Sequence, residues 1–142
     1  MMRITLELAS KIVTATLQRR VELGFKPLCV AVLDGGGHLV ALEREDGAST
    51  LRPQIAMAKA GGALALGVSS RKIAEMASER PTFIASLGPI SPHGVVPAAG
   101  GVLIVDEDGQ LVGAVGVTGD TSDNDEACAL AGIAAAGLSV LE

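Results

Sequence analysis

The chain carries two histidines, His38 and His93, and imidazole is the side chain most readily turned to proton transfer or to metal and haem ligation near neutral pH. His38 follows Asp34-Gly35-Gly36-Gly37 at the start of an expected strand, a position that equally suits a half-exposed histidine with no chemical task. His93 lies between Gly88 and Gly101 in a segment holding Pro89, Pro92 and Pro97, so a stiffened backbone presents its side chain. A third neighbourhood is the run in which Gly113, Gly116 and Gly119 precede a helix crowded at its start by Asp120, Asp123, Asp125 and Glu126. Exposed amides at a helix start attract anions. Here the carboxylates repel a polyphosphate and no lysine follows the glycines, so a phosphate loop is excluded and the acids complement the helix dipole. A calcium loop opening at Asp120 fails too, because Asp125 stands where glycine is required and Ala131 where a bidentate acid is required. A weaker metal site pairing Asp120 with His93 stays open. Serine–histidine–aspartate, CxxC and HExxH patterns are absent from the sequence, and Cys29 and Cys128 read as small buried hydrophobes in apolar surroundings.

The elements that must position these residues are marked by a repeat. Val30 to Leu42, VAVLDGGGHLVAL, is echoed by Val102 to Ala114, VLIVDEDGQLVGA, with Asp34/Asp106, Gly37/Gly109, Leu39/Leu111 and Val40/Val112 in register. Each copy is an apolar run, an acidic and glycine-rich break and a second apolar run, which spells two antiparallel strands joined by a tight turn. Leu28 to Leu33 is apolar throughout, as expected for a strand covered on both faces. Thr5 is positioned to cap a helix to about Leu23, closed by Gly24, with Leu8, Ala9, Ile12, Val13 and Thr16 on its apolar side. Leu51 to Leu66 reads as a second helix with Pro53 in its first turn and a Gly61-Gly62 pair that suggests close packing. Ser69 or Ser70 caps a short third helix that Pro81 stops, and Ser122 with Asp125 matches a capping box for a last helix toward Val140. The order α, ββ, αα, ββ, α needs no parallel crossover, so the fold class is α+β with an antiparallel sheet under helices.

Composition narrows the function classes. A chain of 142 residues without a linker is one domain by size, residues 1–142. Its apolar fraction of 49% and mean hydropathy of +0.46 are high, yet no run approaches the ~20 apolar residues of a membrane span. The excess apolar surface favours a homo-oligomer. Net charge of −5 and only two aromatic residues, Phe25 and Phe83, exclude nucleic acid. The N-terminal MMRITLELASKIV lacks the core and cleavage site of a signal peptide, which points to the cytoplasm.

The blocks VAVLDGGGHLVALEREDGA, IAMAKAGGALALG, GGVLIVDEDGQLVGAVGVTG and GDTSDNDEACALAGIAA together resemble the GlcG/HbpS-like family, related to the C-terminal domain of PduO. The resemblance covers nearly the whole chain. It implies an antiparallel five-stranded sheet flanked by helices, profilin-like, with the extra strand placed in the second strand group before the last helix, and assembly into symmetric oligomers. Some relatives bind haem and act in haem or redox sensing, while others sit among genes for glycolate, diol or aromatic breakdown. Haem-binding relatives use a histidine near the first helix, and Thr5 to Leu23 has none, leaving His38 and His93 as the histidines for iron. His93-Gly94 with Gly100-Gly101 resembles the family's glycine-rich pocket loop, which implies a ligand role there.

The leading expectation is therefore a small-molecule pocket built from His93, Gly94, Gly100, Gly101, Thr118, Gly119 and Asp120, completed in some assemblies by a neighbouring copy. It suits an anionic or hydroxylated metabolite. His93 would orient or deprotonate the ligand, Asp120 would accept a hydrogen bond or act as base, and glycine amides would bind an oxygen, with a lyase or isomerase step open. The alternative is a haem- or iron-binding sensor with His93 or His38 as ligand. A third reading is an assembly module without a ligand.

Overall fold

In the computed structural model, which describes residues 3–141 and leaves Met1, Met2 and Glu142 outside, helix α1 spans Leu6–Leu23. The Thr5 hydroxyl accepts from the Leu8 amide at 3.1 Å, and Gly24 closes the helix at φ 69°. Strands β1 (Cys29–Asp34) and β2 (Leu39–Arg44) form the first hairpin, and β3 (Gly101–Val105) and β4 (Leu111–Thr118) the second. The hairpins join through β1 and β4, so that the antiparallel sheet reads β2-β1-β4-β3-β5. Cys29 pairs with Thr118 and Asp34 with Gly113, which sets the two ends of the central strand pair.

Alternation along these strands feeds two cores. Val30, Val32, Val102, Ile104, Val115 and Val117 point to α1 and to α5 (Ser122–Ala135), where Ile12, Val13, Cys128 and Ile133 meet them. Leu33, Leu103 and Ala114, with Cys29 and Ala31, point to α2 (Arg52–Leu66) on the opposite face. β1 is thus buried on both faces from Cys29 to Leu33, as its unbroken apolar run requires.

The helices depart from expectation at three places, each for a local reason. Pro81 does not merely stop α3 (Ser70–Glu79); it opens a further helix, α4 (Pro81–Leu87), because proline's fixed φ and missing N–H suit a first helical turn. A 3-10 turn, Gly88–Ile90, follows before the loop that carries His93. At α5 the cap is Thr121, whose hydroxyl accepts from Asn124 at 3.2 Å, so Ser122 is the first helical residue and Asp125 falls one turn in and is buried. α5 also ends at Ala135, short of Val140. Gly137, at φ 75°, turns the chain so that β5 (Ser139–Val140) pairs with Val105 and Ile104, and the fifth strand therefore follows the last helix instead of preceding it.

Candidate functional site

The repeated turns are built alike down to single hydrogen bonds. Asp34 Oδ1 accepts from the amides of Gly36 (3.0 Å) and His38 (2.9 Å), and Asp106 Oδ1 accepts from those of Asp108 and Gln110 (both 2.9 Å). Gly37 and Gly109 take the same left-handed position, at φ 84° and 75°. An aspartate that ties its own downstream amides and a glycine that supplies positive φ are what such a turn needs. The intervening residues are free to differ, and they do. Gly35, Gly36 and His38 stand where the second turn has Glu107, Asp108 and Gln110.

This difference opens a site at the first turn only. Neither Gly35 nor Gly36 has positive φ, so the backbone does not demand glycine there. A Cβ at Gly36 would stand 3.0 Å from the His38 ring, so its absence leaves the imidazole room over the turn. His38 Nδ1 lies 3.3 Å from Asp34 Oδ1, and the side chain is 81% exposed. The amide of His38 chiefly, with that of Gly36, holds the Asp34 carboxyl below the usual carboxylate range against partial desolvation. Beside the ring runs a cleft of about 490 Å³ with Ile4, Leu111 and Val112 as apolar lining and Arg3, Asp34 and His38 as polar lining. That volume is within the range of small-molecule sites.

His93 meets the same turn across 56 residues of sequence. Its Nε2 is 2.7 Å from the Gly37 carbonyl, which can only accept, so this nitrogen carries the proton and donates. The ring is seated on α2. A Cβ at Gly61 would come within 2.8 Å of His93 Cβ, and one at Gly62 within 3.4 Å of the Gly94 carbonyl, which explains the glycine pair in an otherwise alanine-rich helix. An adjoining cleft of about 240 Å³ shares Gly35 and Gly36 with the first and has Gly61, Leu64 and His93 in its lining.

The other expected site residues lie elsewhere. Gly100 and Gly101 pack on Lys59: a Cβ at Gly100 would stand 2.8 Å from Lys59 Nζ, and the Gly101 amide donates to buried Ser70 Oγ at 2.7 Å. Thr118 is buried and its hydroxyl accepts from Arg52 Nη1 at 2.7 Å. Gly119 passes against the Pro27 carbonyl with no space for a side chain. Asp120 accepts from the amides of Lys26 and Thr121 and from Asn124 Nδ2, each at 2.7 Å, and the first of these does most to hold its carboxyl below the usual range. Within one chain this cluster sits at the Cys29 end of β1, whereas His93 sits at the Asp34 end, about 16 Å along the strand at ~3.3 Å per residue. The proposed convergence of His93 with Asp120 is therefore not made inside one protomer.

Beside the Asp120 loop the structure shows a pair that pattern reading did not single out. Lys59 Nζ lies 3.2 Å from Asp125 Oδ2 with both side chains almost fully buried, and it donates to the Val117 carbonyl at 3.0 Å. Burial pushes the Lys59 ammonium down and the Asp125 carboxyl up, each opposed by its partner. One charged residue inside the apolar run IAMAKAGGA was the available signal. Both cysteines are buried, and burial lifts each thiol to about 11, so they act as hydrophobes. Among the described residues no group of three or more His, Cys, Asp or Glu side chains is placed to hold a metal ion, and no helix is long and apolar enough to cross a membrane.

The family model described as haem degrading protein HbpS-like matches residues 4–134. The chain belongs to the HbpS-like family. The crystal structure of HbpS is 31% identical, with 94% of this chain and 90% of that one covered at a TM-score of 0.80. Below 25% identity, two further structures share the fold: a PduOC–haem complex (21% identical, 99% and 100% covered, TM-score 0.86) and the Klebsiella pneumoniae protein ORFY (23%, 96% and 93%, TM-score 0.85). No curated protein sequence matches. In this HbpS-like chain α1 carries no histidine, and both histidines gather at the β1–β2 turn.

Proposed function

We propose that this HbpS-like protein binds haem, a planar ligand with carboxylate arms, in the cleft beside the β1–β2 turn, with His38 as the iron ligand. The observation that carries the reading is the contrast between the twin turns. The same backbone is built with Glu107, Asp108 and Gln110, so glycine at 35 and 36 and histidine at 38 answer to something other than the turn. His38 Nε2 points away from its Asp34 contact and has no hydrogen-bond partner within the described residues. Leu111 presents an exposed apolar side chain to the cleft, over buried Ile4 and Val112, and the Arg3 guanidinium suits carboxylates. When bound, haem iron would supply a redox-active centre. His93, by donating to Gly37, braces the turn that carries His38.

The family description and the haem complex of a structural relative support this reading. The metabolite reading, with a lyase or isomerase step at His93 and Asp120, requires a second copy to bring those residues together. Self-association belongs to the proposal through the exposed Leu51, Phe83 and Ile90, the last 79% exposed, as does a cytoplasmic location. Hemin titration tests the site. The wild type is expected to give a sharp Soret band, His38→Ala to lose it with at least a ten-fold fall in affinity, and His93→Ala to weaken binding less. Gly36→Asp, which installs the residue of the second turn, is expected to obstruct binding without unfolding. Unchanged spectra and affinity in His38→Ala would refute the assignment.

A further inference from the structure

We infer that helices α3 and α4 form a strap that opens as one unit while the sheet stays folded, and that Arg71 is its salt-sensitive latch. This holds whether or not haem binds.

Packing sets the strap apart from the body. Among the described elements α4 lies against α3 and the 3-10 turn alone, and α3 meets only α2 and β3 besides. Ile73 and Ile84, the aliphatic residues that the strap buries, belong to none of the apolar clusters built by the sheet with α1, α2 and α5. Polar contacts repeat the pattern. Among the described residues, the hydrogen bonds and ion pairs made from 71 to 90 stay within the strap or reach its flanking Ser69 and Ser91, with one exception. Arg71 crosses to α5, where its guanidinium meets the carboxylates of Asp123 and Glu126, with Nε 3.1 Å from both oxygens of the latter. The two ends are pinned, by Ser70 Oγ accepting from the Gly101 amide and by His93 donating to the Gly37 carbonyl, so movement is confined between them. A segment with few buried apolar contacts opens at a lower free energy than the whole fold. The Arg71 and Asp123 side chains are 46% and 81% exposed, so salt reaches and screens the latch. Clefts of about 340 and 480 Å³ flank α3, and Arg71 and Glu75 line both. Lifting α3 withdraws Ile73 and joins them into one groove, with Leu103 on one side and Ala98 and Ala99 on the other.

Native-state amide exchange of the full chain tests the strap, in about 0.01 M and about 1 M sodium chloride, between which the screening length falls from ~30 Å to ~3 Å. Amides of α3 and α4 are expected to share one opening, populated about ten-fold or more above that of β1 and β4, with one common and shallower urea dependence. High salt should raise their exchange about five-fold and leave β1 and β4 unchanged. Arg71→Met should produce that rise at low salt and abolish the salt response. Arg19→Met, which removes an exposed ion pair inside α1, should leave the strap as it was. Ile73→Cys reports the groove: its thiol should react with a maleimide faster as the strap opens, while buried Cys29 and Cys128 stay protected. Protection of α3 and α4 equal to that of β1 and β4, or separate urea dependences for the two helices, would overturn the strap. A salt response that is missing, or that survives in Arg71→Met, would overturn the latch. A thiol at position 73 indifferent to strap opening would overturn the groove.

Discussion

Aspartate does three different jobs in this chain, and neighbouring donors decide which. Asp34 and Asp106 tie turns, Asp120 closes the loop between β4 and α5, and Asp125 is buried against Lys59. Asp120 allows a pH test with a defined sign. Its folded carboxyl titrates below the ordinary value, so it contributes stability that is fully present above about pH 5 and is lost as pH falls through the ordinary value of ~3.9 and below. Asp120→Ala is therefore expected to lower stability by roughly 2 kcal/mol at pH 7 through lost charge-assisted hydrogen bonds, with the gap to wild type closing below about pH 4. Urea unfolding across pH measures this. A gap that does not change with pH would show that packing, and not charge, is what Asp120 supplies. At this scale the twin turns were readable in advance, since the Asp and Gly spacing names its own hydrogen bonds. The partner of His93 was not, because no local rule links it to a carbonyl in the first hairpin.

Among the elements, α2 is the one whose composition the fold explains most directly. Its alanines and glycines let it lie close to β1, β3 and β4 on one face and admit the His93 loop on another. Gly61→Ala should gain helix propensity yet lose about 1–3 kcal/mol by overpacking against His93. His93→Gly in the same background should recover part of that loss. A double-mutant cycle by denaturant melts measures the coupling, and additivity of the two changes would contradict the contact. The cap of α1 was legible from Thr5, and that of α3 was narrowed to Ser69 or Ser70, between which the backbone chooses Ser69. α4 and the displaced cap of α5 were harder to read. Pro81 both ends one helix and begins another, and adjacent Thr121 and Ser122 are chemically equivalent as caps until the backbone chooses between them.

Across the whole molecule, the Lys59–Asp125 pair joins α2 to α5, helices that lie on opposite faces of the sheet, around the end of β4. Removing one partner strands a buried charge. Asp125→Leu or Lys59→Met alone should cost about 3–5 kcal/mol, and the double replacement should regain much of it, because a buried pair is worth little beyond an apolar substitute. Urea midpoints of the three variants decide the matter, and a double variant no better than either single would argue for a specific role of the ion pair.

Local chemistry was enough to establish the two hairpins, the existence of α1, α2, α3 and α5, the inert cysteines and the α+β class, since periodicity, turn residues and caps act over a few residues. What belonged to the folded chain alone was which distant groups meet. Folding carried both histidines to one turn, set Asp120 at the far end of β1 and buried a lysine on an acid. Those encounters depend on strand order and helix crossing, where side chains far apart in sequence share a desolvated space, and no short-range pattern encodes that space.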